Sequence, residues 1–294
     1  MTSVRATGTG QWSVPPLFAQ LVDDTSLLRP RQAVPPLDAV VARYLAARDG
    51  RFGALVGQLV CPVSRLSALV AELARARPSR PVDVSLVVDT GLGAVPKALS
   101  TVFSRSNLLT PRTVETAAPS DVDAMWLERV AEFVPEDVVA VVEPRRPTDD
   151  DPKSTLAWLD AVRRVAEHGC APKLRAGGIR ASDVPPASDV EDFLNVAVAA
   201  GRCFTVFGLR GVVRGESAGL VQHGLLNLLV AVARAVAGAD VQAALLGTDG
   251  AELAAELRQL SVGHVDRVRG LFARCGADPE PAPLDQLADL GLLA

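Results

Sequence analysis

The chain has 294 residues, enough for one large domain or two small ones. Hydrophobic residues make up 49% and charged residues 22%, close to an ordinary soluble globular protein. Thirty Lys and Arg against 34 Asp and Glu leave a formal charge of −4, which argues against a general polyanion binder, and an aromatic content of 4% is too low for base stacking, so no nucleic-acid partner is expected.

The basic residues are lopsided. Lys97, Lys153 and Lys173 are the three lysines, against 27 arginines. A generic surface cation in this chain is therefore Arg, and each Lys merits inspection. No apolar run approaches the roughly 18 residues of a membrane span. Residues 1–13 are polar and lack the apolar core of a signal peptide, so a cytoplasmic location is expected. Cys61, Cys170, Cys203 and Cys275 are widely spaced with no C-x-x-C pair, and His168, His223 and His264 form no H-x-x-x-H pair. Neither a zinc site nor a disulfide scaffold is indicated, and no cofactor motif is found.

In chain order, residues 1–36 form an N-terminal arm with Asp23 and Asp24 in a loop, either solvated or capping a barrel. Residues 37–48 carry Val40, Val41, Tyr44 and Leu45 on one helical face. Residues 52–61 (FGALVGQLVC) read as a strand buried on both faces. A helix over 64–77 and a strand over 82–91 follow. A weaker strand is predicted at 110–118, then a helix at 121–133 with Ser120 as N-cap. Residues 138–143 (VVAVVE) are a buried strand, and 154–168 a helix closed by Gly169. Residues 172–178 (PKLRAGG) are a strand entering a double-Gly turn. A helix at 189–200 ends at Gly201, a strand spans 203–210, and a long helix spans 220–236. A seventh strand is predicted at 270–275, and an eighth near 239–246 unless it is lost. Residues 279–283 form a short Pro-rich linker into a helix at 284–290.

Strands alternating with helices imply βαβ units and a parallel sheet. About 250 residues of such units suit a (β/α)8 TIM-barrel-like fold, taken here as residues 37–278. An open doubly wound sheet is disfavoured. Cys61-Pro62-Val63 stands where G-x-G-x-x-G would follow the first strand, and Gly91-Leu92-Gly93 lacks the third glycine.

In such a barrel the chemistry lies at the C-terminal ends of the strands. That rule selects Asp89, Glu115, Glu143, Lys173, Arg175 and Arg210. Lys173 and Arg175 are two apart on one strand and share a face. Inward is expected, because facing the helices would bury two cations against Leu and Val. One reading is a salt bridge to Glu143 that plugs the barrel. Another is a Lys173 amine of depressed pKa that forms a Schiff base with a carbonyl substrate. A third is a Lys173/Arg175 anion site helped by the amides of Gly177 and Gly178. His223 and Asn227 share a helix face, either as surface and capping groups or as part of the pocket.

Several segments together resemble an uncharacterised bacterial family of (β/α)-barrel-like proteins, common in actinobacteria. They are Leu21-Val22-Asp23-Asp24, Val60-Cys61-Pro62-Val63-Ser64-Arg65-Leu66, Lys173-Leu174-Arg175-Ala176-Gly177-Gly178, Gly208-Leu209, His223-Gly224-Leu225-Leu226-Asn227 and Asp289-Leu290-Gly291-Leu292-Leu293. The resemblance covers nearly the whole chain and implies a shared fold much more than a reaction. Where the family has A-G-L-H-H this chain has Phe207-Gly208-Leu209-Arg210-Gly211, and where it has F-K this chain has Phe204-Thr205. The family's G-S-C-S-F is here Ala273-Arg274-Cys275-Gly276-Ala277, and its F-P-P is Leu28-Arg29-Pro30. The resemblance therefore implies a member without the paired His and the second Lys, with a changed activity or none if those groups carry the chemistry.

The expected function is a lyase, aldolase-like or isomerase barrel enzyme acting on a small anionic or carbonyl metabolite, in specialised biosynthesis. Lys173, Glu143 and His223 would be catalytic. Arg175, Gly177, Gly178, Arg210, Asn227, Glu115 and Asp89 would bind substrate. No metal is expected, and a homo-oligomer is compatible. The alternative is a catalytically degenerate barrel that binds a ligand or a partner.

Overall fold

A computed structural model describes residues 14–30, 33–149, 151–217, 219–277 and 283–293. Most of the expected linker, and residues 1–13 of the expected arm, lie outside the described residues.

Strands and helices alternate as the hydrophobic pattern requires. β1 (Val22–Asp24) is followed by α1 (Leu37–Arg48), β2 (Val56–Pro62), α2 (Leu66–Ala76) and β3 (Val82–Val87). Next come α3 (Val95–Phe103), β4 (Leu109–Ala117), α4 (Ala124–Phe133), β5 (Val139–Glu143), α5 (Pro152–Glu167), β6 (Ala171–Arg175), α6 (Ala187–Ala200) and β7 (Phe204–Leu209). A hairpin of β8 (Gly215–Ser217) and β9 (Leu220–Gln222) precedes α7 (Leu225–Ala237). Then α8 (Val241–Leu246), α9 (Gly250–Arg258) and α10 (Val262–Leu271) lead into β10 (Phe272–Ala277), and α11 (Pro283–Asp289) follows.

Eight of these strands close into one parallel barrel in the order β1-β10-β7-β6-β5-β4-β3-β2. The fold is a (β/α)8 barrel. The eighth strand is not at 239–246, which is α8, capped by Asp240 through Ala243 N at 2.9 Å. It is β1, inside the stretch expected to be an arm. It pairs with β10 on one edge and β2 on the other, so the barrel begins before residue 37. β1 has three residues and two carboxylates, so no apolar run or alternation marks it. The long helix expected from 220 begins at Leu225, because 220–222 pair with β8. The N-cap of α4 is Asp123, accepting from Trp126 N at 2.7 Å, not Ser120.

The apolar core lies between the barrel and its helices. Leu59 and Cys61 of β2 pack with Tyr44, Leu69 and Leu73. Leu174, Phe204 and Val206 pack with Phe193, Leu194 and Leu229. Truncating one such buried Leu to Ala costs about 2–5 kcal/mol. α7 is buried along Leu225–Ala233 because α8, α9 and α10 cover its other faces. This explains its near-continuous apolar sequence.

Candidate functional site

Because side chains alternate along a strand, residues between the core positions point into the barrel. In many barrels of this fold these inward layers are dominated by Val, Ile and Leu. Here they carry Gln58, Ser85, Thr113, Glu115, Lys173 and Thr205, all buried. Burying such groups is costly unless they are paired, and all of them but Thr205 have a side-chain partner on another strand.

The pairing runs across the strands. Thr113 Oγ1 donates to Gln58 Oε1 at 2.9 Å, and Gln58 N donates to Asp23 Oδ1 at 2.6 Å. Ser85 Oγ donates to Glu115 Oε1 and Lys173 Nζ to Glu115 Oε2, each at 2.5 Å. Lys173 Nζ also lies 3.7 Å from Glu143 Oε2. Arg175 closes the group from above, with Nε and Nη2 each 2.9 Å from Glu143 Oε1. Both cations stand over Phe207, Lys173 Nζ at 4.7 Å and Arg175 Cζ at 4.8 Å from the ring centroid. Lys173 and Arg175 thus share the inward face, as the strand periodicity requires, with Arg175 at the mouth and Lys173 below it.

The electrostatics correct one expectation. Burial alone would lower the Lys173 pKa, but Glu115 and Glu143 outweigh it and hold the ammonium above its ordinary range. A Schiff-base amine needs the opposite shift. The ion-pair plug, by contrast, is present, and Glu115 is its nearest acid rather than Glu143. The space beside Lys173 is about 10 Å³, lined in part by Asp23, Glu115, Thr205 and Phe207.

The other expected site residues fall elsewhere. Asp89 follows β3 and is exposed. It accepts from Ser64 N at 3.0 Å and from Ser64 Oγ, tying β3 to the start of α2. Asn227 has its amide filled by backbone. Its Oδ1 accepts from Arg214 N at 2.6 Å, and its Nδ2 donates to Ala244 O at 2.7 Å and Gly247 O at 2.8 Å. It staples the β7–α7 connection to the end of α8. His223 is buried, with Nε2 donating to Pro185 O at 2.8 Å. Desolvation lowers its pKa, so the ring is held neutral, and it does not line the space beside Lys173. Arg210 is half-buried just past β7 and also lies outside that lining.

Gly177 and Gly208 serve the backbone. A Cβ on either would collide with the carbonyl of the other, and Gly208 sits at φ 92°. The ends of β6 and β7 approach closely only because both are glycine. Gln222 of the hairpin clamps Gly178, donating from Nε2 to its carbonyl at 2.9 Å and accepting from its amide at 3.4 Å. The Gly178 amide is therefore already engaged.

Among the βα loops lies a groove of about 1030 Å³, lined in part by Arg146, Thr155, Val184, Asp189, Arg214 and Val221. Arg146 pairs there with Asp189 at 2.9 Å. Sequence reasoning missed Asp23, Thr205, Phe207 and Gln222. Thr205 and Phe207 have the inward period of β7, a signal that could have found them. Among the described residues no group of three or more His, Cys, Asp or Glu could hold a metal ion, and no helix is long and apolar enough to cross a membrane. No protein-family profile matches the chain, and no curated protein matches it.

Proposed function

We propose that this barrel is an acid–base enzyme acting on a small anionic or carbonyl metabolite, in a lyase or isomerase reaction. The observation that carries the reading is the buried Lys173 held between Glu115 and Glu143 at the C-terminal ends of the strands, where this fold keeps its chemistry. Arg175, with a side chain 42% exposed, is the cation that an incoming carboxylate or phosphate meets first. Glu143, released from Arg175 by that anion, is the proton acceptor. Lys173 remains an ammonium and stabilises negative charge developing on the substrate, the anion-anchor role rather than the covalent one. His223, Asn227, Asp89 and Arg210 have no part in this step.

A thermal-shift screen of small carboxylates, keto acids and phosphorylated compounds tests the reading. Stabilising ligands should lose their effect in Arg175→Ala and Lys173→Met, and borohydride with those ligands should leave no adduct on Lys173. If no compound in the panel raises Tm, the enzymatic reading falls.

A second reading, a degenerate barrel that binds a partner, draws on the small space beside Lys173 and on its satisfied ion pairs. Arg210 and Gly211, standing where the resembled family has paired His, point the same way. A stable complex with a neighbouring protein, together with an empty ligand screen, favours it.

A further inference from the structure

Besides Lys173 and Glu115, the space beside Lys173 is bounded by Asp23 and Thr205, which the proposed chemistry does not use. Asp23 reaches it from β1, Thr205 from β7 and Glu115 from β4. Its volume of about 10 Å³ is on the order of what one water needs. Thr205 Oγ1 is buried there and has no hydrogen-bond partner among the described residues. Leaving a buried hydroxyl unmatched costs about 1–3 kcal/mol. Apolar cavities of this size stay dry, but this one offers a hydroxyl, two carboxyls and an ammonium, more than the two partners a buried water requires.

We propose that this cavity is a binding site for one water molecule, which hydrogen-bonds Thr205 and Asp23 and joins Asp23 to the Glu115–Lys173 pair. The site stands on the cavity and on the unmatched Thr205 hydroxyl, independently of the reaction proposed above.

The surroundings of Asp23 favour its neutral form, in which it can donate to the water. Burial pushes its carboxyl up to about 7, against the lowering effects of Arg274, 3.5 Å away, and of the Gln58 amide, while Glu115 raises it further. Arg269, Tyr44 and Cys275 are the other titratable groups coupled to it. Arg269, like Arg274, is a cation, and the thiol and phenol are held in their neutral forms by burial.

The test is a high-resolution crystal structure of the wild-type chain, paired with a carboxyl-carbon NMR titration in which the Asp23 signal is assigned by its loss in Asp23→Asn. An ordered water within hydrogen-bond distance of Thr205 Oγ1 and an Asp23 oxygen is expected. Thr205→Val should remove it and leave a drier cavity, which disfavours the charged carboxylate. The Asp23 midpoint should then move up by about 0.5–1 pH unit, roughly a three- to tenfold change in proton affinity. Thr205→Ser should restore both the water and the midpoint. An empty wild-type cavity, or the same midpoint in the wild type and Thr205→Val, overturns the proposal. Both readouts are taken on the resting protein, so they fail independently of the ligand screen that tests the enzymatic reading.

Discussion

Lys173→Met perturbs the interior most directly. It keeps an unbranched side chain, one heavy atom shorter, and removes its charge. Lys173 and Glu115 lie 2.5 Å apart with side chains only 8% and 11% exposed, so the substitution leaves a carboxylate buried with one remaining bond, from Ser85 Oγ. Breaking one side of a buried pair costs about 3–5 kcal/mol. Glu143 is less affected, because it keeps Arg175 at 2.9 Å. Glu115→Gln alone leaves Lys173 with Glu143 at 3.7 Å and should cost less, about 2–3 kcal/mol. The double variant removes both charges and restores a neutral interior, so its loss should fall well short of the sum, with a coupling of at least about 2 kcal/mol. Chemical denaturation of the four proteins, at constant slope against denaturant, measures this. Losses that add to within about 0.5 kcal/mol would mean that the pair is not energetically joined, and the picture of an electrostatically locked interior would be wrong.

Three further outcomes follow from the same geometry. Asp23 has its pKa raised from 3.8 to about 7, so the native state holds a proton that the unfolded chain has lost between those values. Wild-type stability should therefore fall with rising pH across that window relative to Asp23→Asn, by up to a few kcal/mol, and parallel pH profiles of the two proteins would refute it. Asn227→Ala strands the Arg214 amide and two carbonyls, and should cost about 2–4 kcal/mol in urea melts while leaving ligand-induced thermal shifts intact. Lost ligand shifts in a folded Asn227→Ala protein would return that residue to the site. Gly208→Ala places a Cβ against the Gly177 carbonyl at a left-handed φ of 92° and should lower stability by at least about 2 kcal/mol, whereas Gly201→Ala, with open space around it, should lose less. Equal losses by calorimetry would remove the close approach of Gly177 to Gly208 as the reason for the glycine.

Much of the barrel was legible in the chain. The expected strands at 52–61, 82–91 and 138–143 contain β2, which starts only at Val56, β3, which ends at Val87, and β5, all rich in Val and Leu because their core positions are buried, and the helix stripes mark the faces that cover them. Period two also placed Lys173 and Arg175 on one face, and the cost of burying cations against Leu chose the inward one. These features are local, set by side-chain alternation and by transfer from water, and so they survive without tertiary context.

What the chain alone did not contain was which distant residues meet. β1 is three residues long and carries Asp23 and Asp24, and it is a strand only because β2 and β10 supply hydrogen bonds on both of its edges. Asn227 and His223 looked like pocket residues by spacing, and the structure instead gives them the backbone of α8 and Pro185 as partners. Lys173 could be singled out from composition, but its protonation could not. A lone buried lysine tends to lose its proton, and only closure of the barrel brings Glu115 and Glu143, from two other strands, close enough to reverse that tendency.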